Sequence, residues 1–251
     1  HHKDSDHKQV QRFLSTRLPW DKFQKLLDEV RSQGLITMCT PFDEASVDII
    51  CDMGFDVIKV ASCSGKDWPL LEKVADADKP VIFSTGGLSL RDIDNLVSFF
   101  QHRGVHFAIM HCVAIYPTPD ENMNMRQIGL LRSRYPGIHV GWSTHESPSD
   151  MTPVQLAVAL GAELFERHVG IATKNSPLNA YSSNPEQIAE WISSKQRAQV
   201  LCGPRERQPA SAAEQSAIDG LKRGVYAKRK IRKGAVIEGD QVYFAIPYIE
   251  G

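Results

Sequence analysis

The sequence predicts an α/β protein whose sheet is mainly parallel and covered by helices. From Trp20 onward, short apolar runs alternate with segments of helical periodicity. The apolar runs are continuous rather than alternating with polar residues, as expected for strands buried on both faces. A chain of 251 residues that is 42% hydrophobic is long enough to bury a full core.

Six strands are predicted, each separated from the next by a helix. The predicted strands are residues 35–40, 56–62, 80–86, 107–113, 139–145 and 164–168. The predicted helices are residues 21–32, 45–53, 69–77, 91–102, 125–135, 153–162 and 185–201. Because a closed barrel needs eight strands, two architectures stay open. One is an open doubly wound sheet, and the other is a barrel whose first two strands precede His1.

The character of the sequence changes after Gly203. Residues 204–220 are rich in Pro, Ala, Ser, Gln and Glu, without an apolar period, and we interpret them as a linker. Short β segments are predicted at residues 224–228, 234–238 and 241–246. A tail of this size is too small for an independent core, so we expect it to pack on other parts of the protein or on a partner subunit.

Charge, hydropathy and cysteine usage exclude several classes of partner. The net charge is −1, with 29 basic and 30 acidic residues and no long run of either sign, so no nucleic-acid partner is predicted. No apolar run approaches the roughly 18–20 residues that cross a bilayer, so no membrane partner is predicted. The 5 cysteines are scattered and lack a CxxC pair, which favours reduced thiols and a cytoplasmic location.

Two histidines lie at the ends of neighbouring predicted strands. His145 ends the run that starts at His139, and His168 ends the run that starts at Leu164. In a parallel barrel, the carboxyl ends of neighbouring strands converge on one rim. We therefore predict that the two imidazoles bind a divalent metal, whereas His111 is interpreted as an ordinary buried or surface residue.

Other polar residues also follow the predicted strands, where a buried sheet needs none. They are Thr40, Lys59, Ser62, Ser84, Thr85, Tyr116, Ser143 and Glu166. The set suits a small anionic substrate beside a metal ion. A buried Lys59 needs an anion, either a substrate phosphate or carboxylate or a neighbouring acid. Glu166 has three open roles: support of a metal ligand, a third ligand, or a buried salt-bridge acid.

Six motifs in chain order resemble the sialic acid synthase (N-acetylneuraminate synthase) family. They are Cys39-Thr-Pro-Phe42, Ile58-Lys-Val-Ala-Ser62, Ser84-Thr-Gly86, His111-Cys-Val-Ala-Ile-Tyr-Pro-Thr-Pro119, Gly141-Trp-Ser-Thr-His145 and Glu166-Arg-His168. The run that starts at His111 is the most specific. From Leu221 the tail is similar to the start of the family's antifreeze-like SAF domain, with Lys230-Ile-Arg-Lys-Gly234 at its usual turn.

The resemblance implies a (β/α)8 TIM barrel over residues 1–203, with its first two strands before His1. A linker at 204–220 and the start of an SAF domain at 221–251 would follow. The implied activity condenses phosphoenolpyruvate with an aldose, forms a sialic acid-like keto-acid sugar and releases phosphate. The family's SAF domain reaches across a dimer, so a homodimer is expected.

Roles for single residues also follow from the resemblance. The phosphoenolpyruvate site would comprise Thr40, Lys59, Ser62, Ser84, Tyr116 and Ser143. His145 and His168 would hold manganese, with magnesium or cobalt as alternatives, and Lys59 and Glu166 would join them as the catalytic set. Asn179 stands where the family has a substrate-binding aspartate.

Several positions depart from the family pattern. Ala114 replaces an asparagine, Ala61-Ser-Cys-Ser64 lacks an expected acid, and Ile246 stands where the SAF domain has an arginine. Because these departures affect sugar contacts more than phosphoenolpyruvate contacts, we expect a divergent synthase that uses a sugar other than N-acetylmannosamine. The alternatives are an inactive binding or regulatory homologue and a phospho-sugar keto-acid synthase.

Overall fold

The computed structural model describes residues 5–174 and 177–249. The start of the predicted barrel domain at residue 1 and the end of the predicted SAF segment at residue 251 lie outside the described residues. The chain divides into two compact units, His1–Cys202 and Gly203–Gly251. In the first unit the elements are α1 (Lys8–Thr16), α2 (Trp20–Ser32), β1 (Met38–Cys39), α3 (Glu44–Asp52), β2 (Val57–Val60), α4 (Trp68–Ala75), β3 (Val81–Ser84), α5 (Leu90–His102), β4 (Phe107–Cys112), α6 (Arg126–Arg134), β5 (His139–Thr144), α7 (Thr152–Ala159), β6 (Leu164–Arg167) and α8 (Pro185–Cys202).

The six strands form one parallel sheet in the order β1-β2-β3-β4-β5-β6. Each strand pairs with its neighbour in sequence, and the order never reverses as it does in a doubly wound sheet. Of the two architectures left open, the structure therefore has the barrel-like one. The α/β class and the parallel sheet are confirmed, whereas closure into an eight-stranded barrel stays a prediction.

Contacts between side chains show that the sheet curls. Lys59 on β2 and Glu166 on β6 are separated by three intervening strands, yet Lys59 Nζ lies 3.5 Å from a carboxylate oxygen of Glu166. In a flat sheet, strands four positions apart are roughly 19 Å apart. The side chains span the gap only because the sheet bends round so that β2 faces β6.

Local signals explain why the helices begin and end where they do. The side chain of Ser89 accepts from the Asp92 N–H, and the Asp92 side chain accepts from the Ser89 N–H, a capping box that starts α5. The side chain of Asp43 accepts from the Ser46 N–H and so caps the start of α3. Gly104, with φ +68°, follows α5 in the left-handed conformation that lets the chain turn into β4.

The core of the first unit lies between the sheet and its helices. Phe83 on β3 is fully buried, and its ring lies 5.9 Å from that of Phe100 on α5 and 5.8 Å from that of Phe107 on β4. Ile58, Ile109 and Val140 extend the buried layer along the neighbouring strands. This packing holds the strands in register and so fixes the rim where they end.

The second unit contains α9 (Ala212–Leu221), β7 (Gly224–Ala227) and β8 (Val242–Ala245), and the two strands pair antiparallel. Helix α9 lies within the segment interpreted as a linker, except for its last residue, Leu221. Ser211 accepts from the Glu214 N–H and starts it, a local signal that composition alone concealed. The β segment predicted at residues 234–238 is not a strand. The SAF character of this unit stays a prediction.

One strand boundary and one helix also differ from the sequence prediction. Strand β1 covers only Met38–Cys39 of the predicted residues 35–40, and α1 was not predicted. Helix α1 has no buried residues, although Val10, Phe13 and Leu14 stand at helical spacing on one face. Within the described ranges, the helices all fall short of the length and apolar character that a membrane span requires.

A glycine in β5 gives the first testable prediction. A Cβ on Gly141 would lie 2.6 Å from both the Cβ and the carbonyl oxygen of Leu164 on β6, so Gly141→Ala forces the two strands apart. We expect the free energy of unfolding, measured in urea, to fall by about 1–3 kcal/mol. Gly129 in α6 is the matched control, because an added Cβ meets no atom within 4 Å there. Gly129→Ala should raise stability by about 0.5–1 kcal/mol, and equal effects at the two sites would contradict the close approach.

Candidate active site

The carboxyl ends of the strands bring two imidazoles together. His145 directly follows β5 and His168 directly follows β6, and their ring centroids are 5.3 Å apart. His145 is buried, and its Nδ1 lies 3.0 Å from the carbonyl oxygen of Val113. Since a carbonyl only accepts, Nδ1 carries the proton and Nε2 keeps its lone pair. His168 is exposed at the rim.

The protonation state of both rings suits metal binding. Burial lowers the pKa of His145, and partial burial lowers that of His168. Both imidazoles are therefore neutral near pH 7, which is the form that binds a metal. Across residues 5–174 and 177–249, no group of three or more His, Cys, Asp or Glu is arranged to hold an ion. Any ion held here would therefore have these two imidazoles as its protein ligands, without a third His, Cys, Asp or Glu from the described residues.

A buried lysine lies on the same rim. Lys59 is 5% exposed, and its Nζ donates to Ser84 Oγ at 2.7 Å. A carboxylate oxygen of Glu166 lies 3.5 Å from the same Nζ. Of the alternatives open from sequence, Glu166 thus has the position of a salt-bridge acid for Lys59. The Glu166 oxygen in this contact is buried and, among the described residues, has no hydrogen-bond partner. This oxygen can therefore still accept a hydrogen bond.

Hydroxyl groups line the space beside the lysine. Ser62 Oγ accepts from the Gly86 N–H at 2.9 Å, which joins the segments that follow β2 and β3. A Cβ on Gly86 would lie 2.9 Å from that oxygen, so the close approach requires glycine. Ser143 is buried at the end of β5. Burial raises the pKa of the Cys112 thiol between them, an effect that the Ser143 and Ser62 hydroxyls partly offset.

Two tyrosines stand beside the imidazoles. The Tyr116 ring centroid is 4.2 Å from that of His145, and the Tyr181 ring lies 5.0 Å from His168 and 5.3 Å from Tyr116. Burial raises the pKa of the Tyr116 phenol. Tyr181 was not predicted as a site residue, although it lies two residues after Asn179. Its aromatic character was the only signal available in the sequence.

Two predicted residues lie at the margin of this cluster. Thr40 is half-buried directly after β1. Asn179 is exposed, and its side-chain oxygen accepts from the Tyr181 N–H at 3.1 Å. The Asn179 side chain thus shapes the turn that presents Tyr181. The other predicted site residues share the rim: Lys59, Ser62, Ser84, Tyr116, Ser143, His145, Glu166 and His168.

Sequence reasoning also missed an ion pair behind the histidines. Arg167 and Glu146 pair through side chains that are each 1% exposed. Glu146 directly follows His145, and Arg167 directly precedes His168. The two were adjacent to predicted ligands in sequence, but their contact depends on the β5–β6 register, which pairs Thr144 with Arg167.

A parallel α/β sheet in sequential order, with its polar groups gathered at the carboxyl rim, has the architecture of barrel-type enzymes. A profile of the NeuB family matches residues 1–207. The chain belongs to the NeuB family.

Individual relatives agree with this assignment. A crystal structure of spore coat polysaccharide biosynthesis protein E from Chromobacterium violaceum shares 47% identity over 100% of this chain and 74% of its own, with a TM-score of 0.95. That of N-acetylneuraminic acid synthetase from Leptospira borgpetersenii shares 27% identity, covers 86% of this chain and 75% of its own, and has a TM-score of 0.78. The spore coat protein SpsE of Bacillus subtilis is 30% identical over 91% of this chain and 65% of its own length.

Other curated relatives are synthases of N-acetylneuraminate 9-phosphate, N,N'-diacetyllegionaminic acid and pseudaminic acid. The homologues therefore support a synthase of the nonulosonic acid type. The chain spans about two thirds of the length of the curated relatives it matches.

His111 gives a prediction about pH. It is buried on β4 with Nε2 2.8 Å from the Met123 carbonyl oxygen, and burial lowers its pKa below the ordinary 6.5. Below pH 6.5 the unfolded chain takes up a proton that folded His111 resists, so the free energy of unfolding falls as the pH decreases. Urea unfolding of His111→Gln should show a shallower loss between pH 7.5 and pH 5. The exposed His106→Gln should match the unmodified protein, and an unchanged pH slope in His111→Gln would reject the assignment.

Proposed function

We propose that this protein condenses phosphoenolpyruvate with an aldose, other than N-acetylmannosamine, to form a nonulosonic keto-acid sugar and phosphate. The observation that carries the proposal is the placement of the buried Lys59 ammonium and its Ser84 partner on one rim with two neutral imidazoles. A fixed cation with hydroxyl donors suits a phosphorylated carboxylate. Free imidazole nitrogens suit a metal beside it.

The proposed reaction forms a bond between C3 of phosphoenolpyruvate and the aldehyde carbon of the open-chain sugar. Water adds at C2, and the C2–O bond to phosphate breaks. In this scheme Lys59 neutralises the anion and Ser62, Ser84 and Ser143 orient it, so that positioning supplies much of the rate. Glu166 holds the Lys59 ammonium before the substrate arrives.

A divalent cation, manganese with magnesium or cobalt as alternatives, would be held by His145 and His168 and would supply Lewis-acid polarisation of the aldehyde. The tyrosine rings of Tyr116 and Tyr181 border this position and would limit the entry of water. The expected homodimer and cytoplasmic location stay predictions.

The test of the proposal is phosphate release by the full-length protein. Phosphoenolpyruvate, Mn²⁺ and a panel of N-acetylated aldoses, with and without a 6-phosphate, are supplied, and inorganic phosphate and the keto-acid product are measured. Release that depends on one aldose supports the proposal. A folded, metal-loaded protein without turnover across the panel would favour an inactive binding homologue.

Replacement of Lys59 tests the anion site. Lys59→Met removes the ammonium that donates to Ser84 and leaves the Glu166 carboxylate to repel the substrate. We expect kcat/KM for phosphoenolpyruvate to fall by a factor of about 100 or more, as for other removed electrostatic donors. Lys73→Met, which breaks a surface pair with Asp48, is the control and should keep full activity. Normal kinetics in Lys59→Met would remove the lysine from the site.

The imidazole pair is tested by metal binding alone. The double variant His145→Ala/His168→Ala should lose high-affinity Mn²⁺ binding, measured by titration calorimetry or by the EPR signal of free Mn²⁺. His111→Gln serves as the control, because that ring bonds to Met123 inside the core. Retained Mn²⁺ affinity in the double alanine variant would place the metal elsewhere.

A further inference from the structure

The ion pair between Arg167 and Glu146 lies directly behind the two rim histidines. Glu146 is the residue after His145, and Arg167 is the residue before His168. Their side chains are each 1% exposed, so neither is available to solvent or to a substrate. The pair joins the end of β5 to the end of β6 at the level where both imidazoles leave the sheet.

Arg167 fixes more than its partner carboxylate. Its Nε donates to Ser183 Oγ at 2.5 Å, and a second guanidinium nitrogen lies 3.4 Å from the Glu146 carbonyl oxygen. The guanidinium carbon is 5.8 Å from the centroid of the Trp191 ring on α8. One planar side chain therefore ties together the end of β5, the segment before α8, and α8 itself.

The Ser183 contact passes this restraint to His168. The Ser183 N–H donates to the His168 carbonyl oxygen at 2.9 Å, and the Ser183 carbonyl accepts from the Gly170 N–H at 3.0 Å. On the other strand, the Thr118 N–H donates to the His145 carbonyl oxygen at 3.0 Å. The backbone of each histidine is thus held by a hydrogen bond from another segment, and Arg167–Glu146 joins the Ser183 support to the residue that follows His145.

A contribution to stability does not explain this arrangement. Removing two charges from water costs about as much as their attraction returns, and the second carboxylate oxygen of Glu146 is buried with no hydrogen-bond partner in the described ranges. What the pair provides is geometry, because a planar guanidinium donates its hydrogen bonds only in fixed directions. We propose that Arg167 and Glu146 are positioning residues that set the separation of the His145 and His168 rings. This inference rests on the proposed metal site.

The main test is the double variant Glu146→Leu/Arg167→Met in the full-length protein. It replaces the pair by apolar side chains of similar size, a change that is often neutral for stability. We expect a folded protein whose Mn²⁺ affinity is weaker by about 10- to 100-fold, the range found when groups that orient metal ligands are removed. Circular dichroism and urea unfolding of the same variant show whether it is folded and how stable it is. The loss of Mn²⁺ affinity counts only for a variant that these measurements show to be folded.

Two further variants complete the design. Arg167→Lys keeps the charge but loses the planar fork, so it should also weaken Mn²⁺ binding. Arg134→Met breaks the surface ion pair with Asp94, which has bond lengths of 2.7 and 2.8 Å, and should leave Mn²⁺ affinity unchanged. A folded Glu146→Leu/Arg167→Met protein that binds Mn²⁺ as tightly as the unmodified protein overturns the inference.

Crystal structures of the variants would test this inference separately from the metal proposal. If Mn²⁺ binds the unmodified protein no better than His145→Ala/His168→Ala, the metal proposal fails. The separation of the two rings in the Glu146→Leu/Arg167→Met or Arg167→Lys structure then decides the positioning role. A shift of about 1 Å or more from the 5.3 Å centroid distance supports it, and an unchanged distance overturns it.

Discussion

The curl of the parallel sheet is the constraint on which the rest of this structure depends. Parallel neighbours alone would spread the six carboxyl ends along a line, with β2 and β6 far apart. The 3.5 Å contact between Lys59 and Glu166 exists because the sheet bends round on itself. The same curvature places a cation, several hydroxyls and two imidazoles around one space, although they are scattered over more than a hundred residues of sequence.

The rim concentrates groups whose burial is unfavourable. Lys59 is almost fully buried, and so are the side chains of the Arg167–Glu146 pair. A folded chain tolerates such groups when neighbours satisfy them, and here each has a partner on another segment of the chain. The core beneath, built around Phe83, Phe100 and Phe107, supplies the apolar packing that offsets this cost. The packing that stabilises the fold and the geometry of the site therefore depend on different groups of residues around the same sheet.

Much of the first unit was predictable from the sequence, because its signals are local and repeated. Continuous apolar runs marked five of the strands to within one or two residues at each end, and the helical spacing of apolar residues marked the helices. Histidines at the ends of β5 and β6 had to lie close together once those strands were neighbours. The departure at β1 also has a local cause, since Leu35 and Ile36 are exposed and apolar character there does not reflect burial.

The parts that escaped prediction depend on contacts distant in sequence. Nothing near Glu146 shows that Arg167 will reach it, because the contact requires the β5–β6 register. Tyr181 enters the cluster through the path of an irregular segment, which has no periodicity to interpret. Whether Glu166 would bind a metal or a lysine depended on sheet curvature, and the sequence carries no direct measure of that.

The carboxylate of Glu166 already lies beside the Lys59 ammonium that, in the proposed function, would receive an incoming anion. Ligand capture at this rim is consequently an exchange, in which the free energy gained is the difference between two contacts with one ammonium. In the proposed function, a singly charged ion such as chloride would gain less from that exchange than a doubly charged phosphate. The resident acid would then favour densely charged anions at the lysine over common salts.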